Sequence, residues 1–342
     1  MTDLIQTEDA LDEVLTRPRP VLVEFIRQVS SPLVILGAGG KMGATLARLA
    51  RRAAEAARCE LELVAVSRFS DESGRRRLEE HGVRTQRADL LERDGIRKLP
   101  DSANVIYLVG LKFGTAQNPS LTWAVNTLAP AHAVERYASA RVVALSTGNV
   151  YPYVPVGCGG ATEDHPLTPM GEYANAAVAR ERLLEYASRR NGTRIVLLRL
   201  IYAVELRYGV LVDIARKVWA GEPVNVANGC FNCIWQGDAN EMILRALNLA
   251  SSPPAAFNLT CPAAVSVREV AGRFSELLGR PAKFIGAESD TALLGNAGKL
   301  GAELGPPATP LEDILDWTAQ WVKSGGRYWN KPTHFEVRDG QY

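Results

Sequence analysis

The chain has 342 residues, of which 46% are hydrophobic and 23% charged, and its formal net charge is +1. This length and composition predict one large α/β domain, or one domain with a smaller lobe, around a full hydrophobic core. The balanced charge argues against a general nucleic-acid surface. Neither a secretory signal nor a membrane span is predicted, so we expect a cytoplasmic protein without nucleic-acid or membrane partners.

Residues 1–30 are predicted to form an N-terminal extension with one short helix over Thr7–Leu15, which Thr7 caps. From Leu33 onward, apolar runs of strand length alternate with helical periods. Strands are predicted in the segments 33–36, 61–66, 83–90, 104–110, 141–147 and 193–203, and helices at 41–57, 121–139 and 173–190. This alternation predicts a Rossmann-type, doubly wound parallel sheet, which we assign to residues 31–202.

After Tyr202 the strand and helix patterns no longer alternate regularly, and helical patterns mix with short strands and Gly/Pro loops. The helical patterns cover 211–220, 240–249, 267–278 and 311–323. We interpret residues 203–342 as a mainly substrate-binding, smaller C-terminal lobe, with some segments returning to the Rossmann sheet. The pair Gly237-Asp238 fits a helix N-cap.

Five cysteines are scattered along the chain, and their odd number favours reduced thiols. The stretch CFNC at 230–233 has the spacing of a redox or zinc pair. No second pair and no histidine lies near it in the sequence, so we expect no metal site.

A glycine loop stands between the first predicted strand and the first helix of the sheet. In LVILGAGGKMG, Gly37, Gly40 and Gly43 follow one another at three-residue intervals, with Lys41 and Met42 between the last two. Such glycines permit a sharp turn, close approach of a pyrophosphate, and close packing of helix on strand. The loop therefore predicts a dinucleotide site at a helix N-terminus, with a purely structural turn as the alternative.

The second strand ends at Ser67-Arg68, where a carboxylate would bind the ribose 2′-hydroxyl of NAD. No carboxylate is present there, and a guanidinium suits a 2′-phosphate. The sequence thus favours NADP. In the alternative, Arg68 faces solvent and NAD is held by backbone contacts.

Several segments together resemble the extended short-chain dehydrogenase/reductase family, in its NAD-dependent epimerase/dehydratase branch, from about residue 31 to 325. The segments are GxxGxxG at 37–43, RADL at 87–90, VIYLVGLKFG at 105–114, AVNTLAPAHAV at 124–134, STGNVY at 146–151, PMGEY at 169–173, LLRLIYAV at 197–204 and FNLTCPAAVSVREVAGRFSELLGR at 257–280. The third is most similar to UDP-galactose 4-epimerases, which share its Gly-Leu-Lys.

The resemblance implies a set of site residues. Tyr173 and Thr147 would be catalytic, and Lys112 would bring positive charge to the cofactor. Further cofactor contacts would come from Asp89, Leu90, Val109, Gly110, Lys112, Asn126, Tyr173 and Ile201.

Two departures from the family pattern bear on the chemistry. The lysine of YxxxK is replaced, so that Tyr173 is followed by Ala177, and Thr147-Gly148-Asn149 stands where 4,6-dehydratases carry Thr-Asp-Glu. The second departure argues against sugar-nucleotide 4,6-dehydration, because the acid and base carboxyl groups are absent.

The missing lysine matters because a free tyrosine has a pKa near 10. To act as a base near neutral pH, its phenolate form must be stabilised by about 3 kcal/mol. Lys112 would supply the positive charge, or it would contact only the pyrophosphate. Alternatively, Tyr173 acts only as a hydrogen-bond donor. In that role, ketone reduction would tolerate the loss of the lysine better than alcohol oxidation would. In the third explanation, the protein binds a dinucleotide but does not catalyse its oxidation or reduction. Arg180 is expected on the surface, and Arg199 in a structural ion pair.

The predicted function is an NAD(P)-dependent oxidoreductase or epimerase that transfers hydride to or from a sugar or polyol derivative. Its site would lie above the carboxyl ends of the strands, between the lobes. Candidate substrate contacts are Asn149, Tyr202, Arg207 and Trp235. The alternative function is a non-catalytic dinucleotide-binding sensor or scaffold. By analogy with the family, helices 121–139 and 173–190 would form a homodimer.

Overall fold

The computed structural model describes residues 5–112, 114–115, 117–331 and 333–340. Within these residues, seven parallel strands form the central sheet. They are β1 (Leu33–Leu36), β2 (Leu63–Ser67), β3 (Arg84–Arg87), β4 (Asn104–Tyr107), β5 (Arg141–Thr147), β7 (Arg194–Leu200) and β12 (Ala255–Leu259).

The strand order is β12-β7-β5-β4-β1-β2-β3. The order reverses between β1 and β4, and in such sheets a crevice opens at that point, beyond the carboxyl ends of the strands. The predicted Rossmann-type fold is confirmed, together with all six predicted strands. The seventh strand, β12, comes from the C-terminal part of the chain, so that segment does return to the sheet.

Helices cover both faces of the sheet. They are α3 (Gly43–Ala57), α4 (Glu72–Glu80), α5 (Arg93–Arg97), α6 (Pro119–Arg136), α7 (Gly171–Asn191) and α9 (Gln236–Arg245). Successive strand residues point to opposite faces, so Leu33 and Ile35 pack with α3 and α9, whereas Val34 and Leu36 pack with α6 and α7. Burial on both faces explains why these strands are continuously apolar in sequence.

A second core lies in the C-terminal lobe, where Phe231, Trp235, Phe274 and Trp321 are buried together. Its helices are α8 (Val210–Ala220), α10 (Val267–Leu278), α11 (Gly298–Leu304) and α12 (Leu311–Lys323). Short strands pair as β6 (Val154–Pro155) with β15 (Thr291–Ala292), β8 (Ala203–Val204) with β11 (Ile234–Trp235), β9 (Pro223–Asn225) with β14 (Lys283–Ile285), and β10 (Cys230–Phe231) with β13 (Val265–Ser266). Across the described ranges, every helix is too short or too polar to cross a bilayer.

The N-terminal segment contributes to both cores. Its first helix, α1 (Glu8–Leu15), is capped by the Thr7 hydroxyl as predicted, and Leu15 is buried in the C-terminal core. A helix that the sequence did not predict, α2 (Pro20–Ile26), buries Leu22 in the core of the main sheet. Pro20 suits this start, because the first helical residue needs no N–H donor. The domain boundaries at 30/31 and 202/203 stay predictions.

One local prediction is wrong. Helix α9 begins at Gln236, so Gly237-Asp238 lies inside the first turn and does not form the N-cap. The Asp238 carboxylate accepts a hydrogen bond from the Thr309 backbone N–H at 2.7 Å. A carboxylate in the first turn also interacts favourably with the helix dipole, which explains why aspartate suits this position as well as a cap.

Replacing Leu22 by alanine is expected to lower the free energy of unfolding by about 2–5 kcal/mol, because it removes a buried side chain from the core of the main sheet. Val21→Ala is the matched control, since Val21 is 38% exposed on the same helix and its loss should cost less than about 0.5 kcal/mol. Urea unfolding measures both. Equal small losses would show that α2 is not part of the core.

Candidate active site

The glycine loop between β1 and α3 leaves no room for larger residues. Gly37 has a φ of 94°, in the left-handed region that favours glycine. A Cβ at Gly43 would lie 2.5 Å from the Cα of Ala38, so α3 packs directly against the end of β1. Helix α3 has 15 residues, and its N-terminus opens at the switch point of the sheet. A glycine turn at a helix N-terminus is the kind of cradle in which backbone N–H groups bind a dinucleotide pyrophosphate.

The start of α3 is fixed by α9. The carbonyl of Met42 accepts a hydrogen bond from the Thr45 hydroxyl at 3.0 Å. Gln236 and Asn240 of α9 each donate to the Thr45 oxygen at 3.0 Å. The buried polar contacts therefore set the position of the loop relative to α9, whose first residue follows the C-terminal lobe strand β11.

The end of β2 forms the rim of the cradle. A Cβ at Gly39 would lie 2.6 Å from the Ser67 hydroxyl, which explains the glycine there. The Arg68 side chain is 74% exposed, and its guanidinium lies 4.0 Å from the Asp89 carboxylate. Asp89 also accepts from the Leu91 N–H at 3.0 Å. Leu90 is buried in the sheet core, so its side chain does not face the rim.

The loop after β4 lies over the glycine loop. Val109 Cγ2 would lie 2.9 Å from a Cβ at Gly37, whereas Gly110 is exposed. Surrounding protein desolvates Lys112 and lowers the pKa of its ammonium to about 8. Asn126 is fully buried and donates to the carbonyls of Leu111 at 3.1 Å and Thr122 at 2.8 Å. Asn126 thus anchors the loop from behind.

The expectation that Arg180 lies on the surface is wrong. Its guanidinium is buried and donates to Asn126 Oδ1 at 2.9 Å and to the Val109 carbonyl at 3.3 Å. Sequence spacing alone did not reveal this, because an arginine at such a position on an amphipathic helix usually reaches solvent.

Lys41 reaches across the mouth of the cradle to the C-terminal lobe. Its Nζ lies 3.1 Å from the ring centroid of Tyr208, a residue that the sequence analysis did not single out. Burial, with the charges of Lys331 and Lys112, lowers the pKa of Lys41 to about 7. Lys331 and Lys112, from separate parts of the chain, are therefore each close enough to Lys41 to influence its charge.

The two candidate catalytic residues come from neighbouring elements. Thr147 is the last residue of β5, and its hydroxyl donates to Asn149 Oδ1 at 2.9 Å. Tyr173 is buried in the first turn of α7. Helix α7 packs against the short turn Gly148–Val150, so both side chains belong to the same end of the sheet. Ile201, just after β7, packs against Gly148, where a Cβ would clash with its side chain.

Ala177 is fully buried and faces an apolar cluster. The cluster includes Val150, Tyr151, Val154 and Leu294. The Ala177 methyl group therefore packs among hydrocarbon at the position where the family pattern has a lysine.

A buried ion pair connects the elements around the site. Arg199 of β7 donates to Glu181 of α7 through two nitrogens, at 2.8 and 3.1 Å, which confirms its predicted structural role. Ser146 donates to the same carboxylate. Arg199 also donates to the Tyr151 hydroxyl, which in turn donates to Asn258 of β12 at 2.8 Å. Four elements, β5, α7, β7 and β12, are thereby tied together.

The candidate substrate residues of the C-terminal lobe are placed differently from one another. Tyr202 is half-buried, has a φ of 42°, and meets Phe231 edge to face. Trp235 is buried against Trp317 in the C-terminal core, so the expectation that it contacts substrate is not supported by its position.

Arg207 is also buried, in contrast to the open position expected of a substrate contact. It lies within ion-pair distance of Glu205 at 3.1 Å, Asp12 at 3.2 Å and Glu8 at 3.5 Å. A buried guanidinium that is surrounded by carboxylates is compensated within the protein. Arg207 therefore ties α1 to the C-terminal lobe.

The CFNC stretch is part of the packed C-terminal lobe, where Cys233 is buried in the core. Burial raises the pKa of the Cys233 thiol to about 12, which keeps it protonated at neutral pH. In the described part of the chain, no three His, Cys, Asp or Glu residues are placed to hold a metal ion.

A parallel sheet with a glycine cradle at its switch point is a Rossmann-type dinucleotide-binding fold, and the comparisons place the chain among enzymes of the extended short-chain dehydrogenase/reductase class. The model of the NAD dependent epimerase/dehydratase family matches residues 33–226. The chain belongs to this family, whose members bind a nicotinamide dinucleotide.

Solved structures share the fold at low sequence identity. The UDP-glucose 4-epimerase of Thermus thermophilus, in complex with NAD, superposes with a TM-score of 0.68 at 21% identity, covering 85% of this chain and 99% of that one. The UDP-glucuronic acid 4-epimerase of Bacillus cereus, with UDP-glucuronic acid and NAD, has a TM-score of 0.71 at 16% identity, with 85% and 99% covered. A dTDP-glucose 4,6-dehydratase of Streptomyces venezuelae gives 0.72 at 16%, with 85% and 97% covered. Comparison with curated protein sequences finds no significant match.

Glu181→Gln is expected to lower the free energy of unfolding by about 3–5 kcal/mol, because Arg199 would keep a buried charge without its carboxylate. Glu185→Gln on the same helix is the control. Glu185 pairs with the exposed Arg182 and Arg189, so its loss should cost less than about 1 kcal/mol. Guanidinium unfolding compares the two, and similar losses would contradict the central role of the Arg199–Glu181 pair.

Proposed function

We propose that the protein is an NAD(P)-dependent oxidoreductase or epimerase that acts by hydride transfer on a sugar or polyol derivative. The observation that carries the proposal is the glycine cradle, in which Gly37 adopts a left-handed φ and Gly43 allows α3 to touch β1. Family membership over residues 33–226 supports the same interpretation.

For the cofactor we propose NADP, with NAD as the alternative. The exposed Arg68 guanidinium at the end of β2 supports a 2′-phosphate. NAD is favoured by the neighbouring structures, which were solved with that cofactor. Direct titration with both dinucleotides distinguishes these choices.

The bound nicotinamide would supply or accept the hydride. Around it, Tyr173 would hold the proton that the substrate oxygen gains or loses, and the Thr147 hydroxyl would hydrogen-bond that same oxygen. Lys112 would add positive charge at the loop after β4. Because Ala177 provides no ammonium, reduction of a carbonyl, in which a neutral phenol donates, suits this site better than oxidation.

The proposed substrate is a carbohydrate-like small molecule. Support comes from the neighbouring structures, described as acting on UDP-glucose, UDP-glucuronic acid and dTDP-glucose. Asn149 and Tyr202 are the proposed substrate contacts that the structure leaves partly accessible. The absence of the Thr-Asp-Glu pattern at 147–149 argues against 4,6-dehydration.

A non-catalytic dinucleotide-binding sensor or scaffold is the second candidate. The observation that favours it is Ala177, which is packed into apolar surroundings where the family pattern has a catalytic lysine. This candidate predicts dinucleotide binding without any turnover.

We also propose a homodimer formed through α6 and α7. These helices pack on each other, and both expose large apolar side chains, namely Leu121, Trp123, Leu128, Leu183 and Tyr186. Exposed apolar patches of this kind are typical of protein interfaces.

Tyr173→Phe is expected to reduce label exchange between the reduced cofactor and a panel of sugars and sugar nucleotides by about a hundredfold or more, because it removes the acid/base hydroxyl. Tyr186→Phe, an exposed tyrosine on the same helix, should leave the exchange unchanged. Dinucleotide affinity is measured in parallel. Binding without exchange in the parent protein would favour the sensor, and unchanged exchange in Tyr173→Phe would refute the assigned role.

Dinucleotide binding is expected to weaken as pH rises from 6 to 9. Lys41 loses its charge through pH 7 and Lys112 through pH 8, and each charge attracts the cofactor phosphates only below its pKa. The loss should amount to about tenfold in Kd at constant ionic strength. Lys41→Met should abolish the lower step and Lys112→Met the upper one. Lys283→Met, on the C-terminal lobe strand β14, is the control, and a flat profile in the parent protein would contradict both assignments.

A further inference from the structure

Arg180 lies on the same face of α7 as Tyr173 and Ala177. The three positions are separated by four and three residues, the spacing that aligns side chains along one face of a helix. Ala177 carries no charge, so Arg180 is the first cation that follows Tyr173 on this face.

The charge of Arg180 is buried and not compensated by a carboxylate. Its side chain is 3% exposed, and its hydrogen-bond acceptors are the Asn126 amide and the Val109 carbonyl. Among the described residues, no carboxylate oxygen lies within 4.0 Å of its guanidinium. Glu181, the next residue, pairs instead with Arg199. A buried charge without a counter-ion is costly, so its presence points to a function.

The buried Tyr107 hydroxyl lies close enough to Arg180 to be influenced by its charge. Arg180 Nε and the Tyr107 hydroxyl have no hydrogen-bond partner within the described ranges. Burial raises the pKa of Tyr107 well above its usual value, and the Arg180 charge acts in the opposite direction. The Arg180 guanidinium thus acts electrostatically on Tyr107, the last residue of β4.

Gly110 separates the guanidinium from the cleft. A Cβ at Gly110 would lie 3.0 Å from Arg180 Nη1 and 3.3 Å from Asn126 Oδ1, yet Gly110 is itself exposed. The guanidinium therefore lies one residue beneath the surface of the loop that also packs over Gly37. At this depth its field reaches the cleft through protein rather than through water.

We propose that Arg180 is the fixed cation of the dinucleotide site, and that it acts as a positioning residue in place of the lysine missing at 177. The inference rests on the proposed function. Arg180 holds the Val109–Gly110 loop from below and gives the cleft a fixed positive charge, as arginine side chains do in proteins. Lys112, on the same loop, loses its charge as pH rises through about 8.

A fixed positive charge distinguishes the two redox forms of the cofactor. The oxidised nicotinamide ring is cationic and the reduced ring is neutral, so Arg180 disfavours binding of the oxidised form relative to the reduced form. This bias agrees with a site in which a neutral Tyr173 donates a proton during carbonyl reduction. A residue that merely supported the loop would change both affinities by the same factor.

The test is the ratio of Kd for the oxidised cofactor to Kd for the reduced cofactor, measured by calorimetry at pH 7. Arg180→Met and Arg180→Gln should lower this ratio by about three- to tenfold. Arg180→Lys, which keeps the charge, should stay within about twofold of the parent. Arg182→Met, an exposed arginine on the same helix, should leave the ratio unchanged.

Parent protein that binds dinucleotide, with the same ratio in both neutral variants, would overturn the role of Arg180 and leave the proposed function intact. Failure of the parent protein to bind either form would refute the proposed function and this inference with it. If the neutral variants do not fold, the pH dependence of the Kd ratio in the parent protein tests the inference. The ratio should persist at pH 9, and its collapse through pH 8 would assign the bias to Lys112 instead.

Discussion

The buried pair between Arg199 and Glu181 is the interaction on which the site depends. It joins β7 to α7, and the Ser146 hydroxyl extends it to β5. Thr147 follows Ser146 directly, and α7 carries Tyr173, so one carboxylate sets the relation between the two candidate catalytic elements. Burial would lower the pKa of Arg199, but hydrogen bonds and charge from Glu181 raise it above its usual value. Breaking either partner would leave a charge in a low-dielectric interior.

Helix α7 separates two charges that are adjacent in sequence. Glu181 points toward β7, where Arg199 neutralises it, whereas Arg180 points toward the loop after β4, where its acceptors among the described residues are neutral. Lys41 and Lys112 add further positive charge at the cleft. Basic side chains thus lie at the glycine loop and at the loop after β4, although the whole chain has a net charge of only +1. Such local concentration of charge suits an anionic ligand better than a macromolecular polyanion.

Much of the fold was predictable from local pattern. Apolar runs bounded by helical periods identified strands β1 to β5 and β7, and Thr7 identified the start of α1. The site was less predictable. The glycine spacing indicated the cradle, but the prediction that Arg180 lies on the surface was wrong. Helix α7 has neighbours on several sides, and sequence periodicity does not show which of its faces stays exposed. Trp235 and Arg207 were expected near substrate, yet both are buried, Trp235 in the C-terminal core and Arg207 among the carboxylates that tie α1 to that lobe.

By itself, the sequence determined the Rossmann-type class and the position of the glycine cradle, since both depend on short-range constraints: strand length, helical period, and turns that only glycine can form. The tertiary structure alone decided which charges are compensated. Arg199 meets a carboxylate 18 residues away, whereas Arg180 meets none in the described part of the chain, although both are buried arginines. Ion pairing depends on distances of a few ångströms between distant parts of the chain, and those distances exist only once the sheet and its helices have packed.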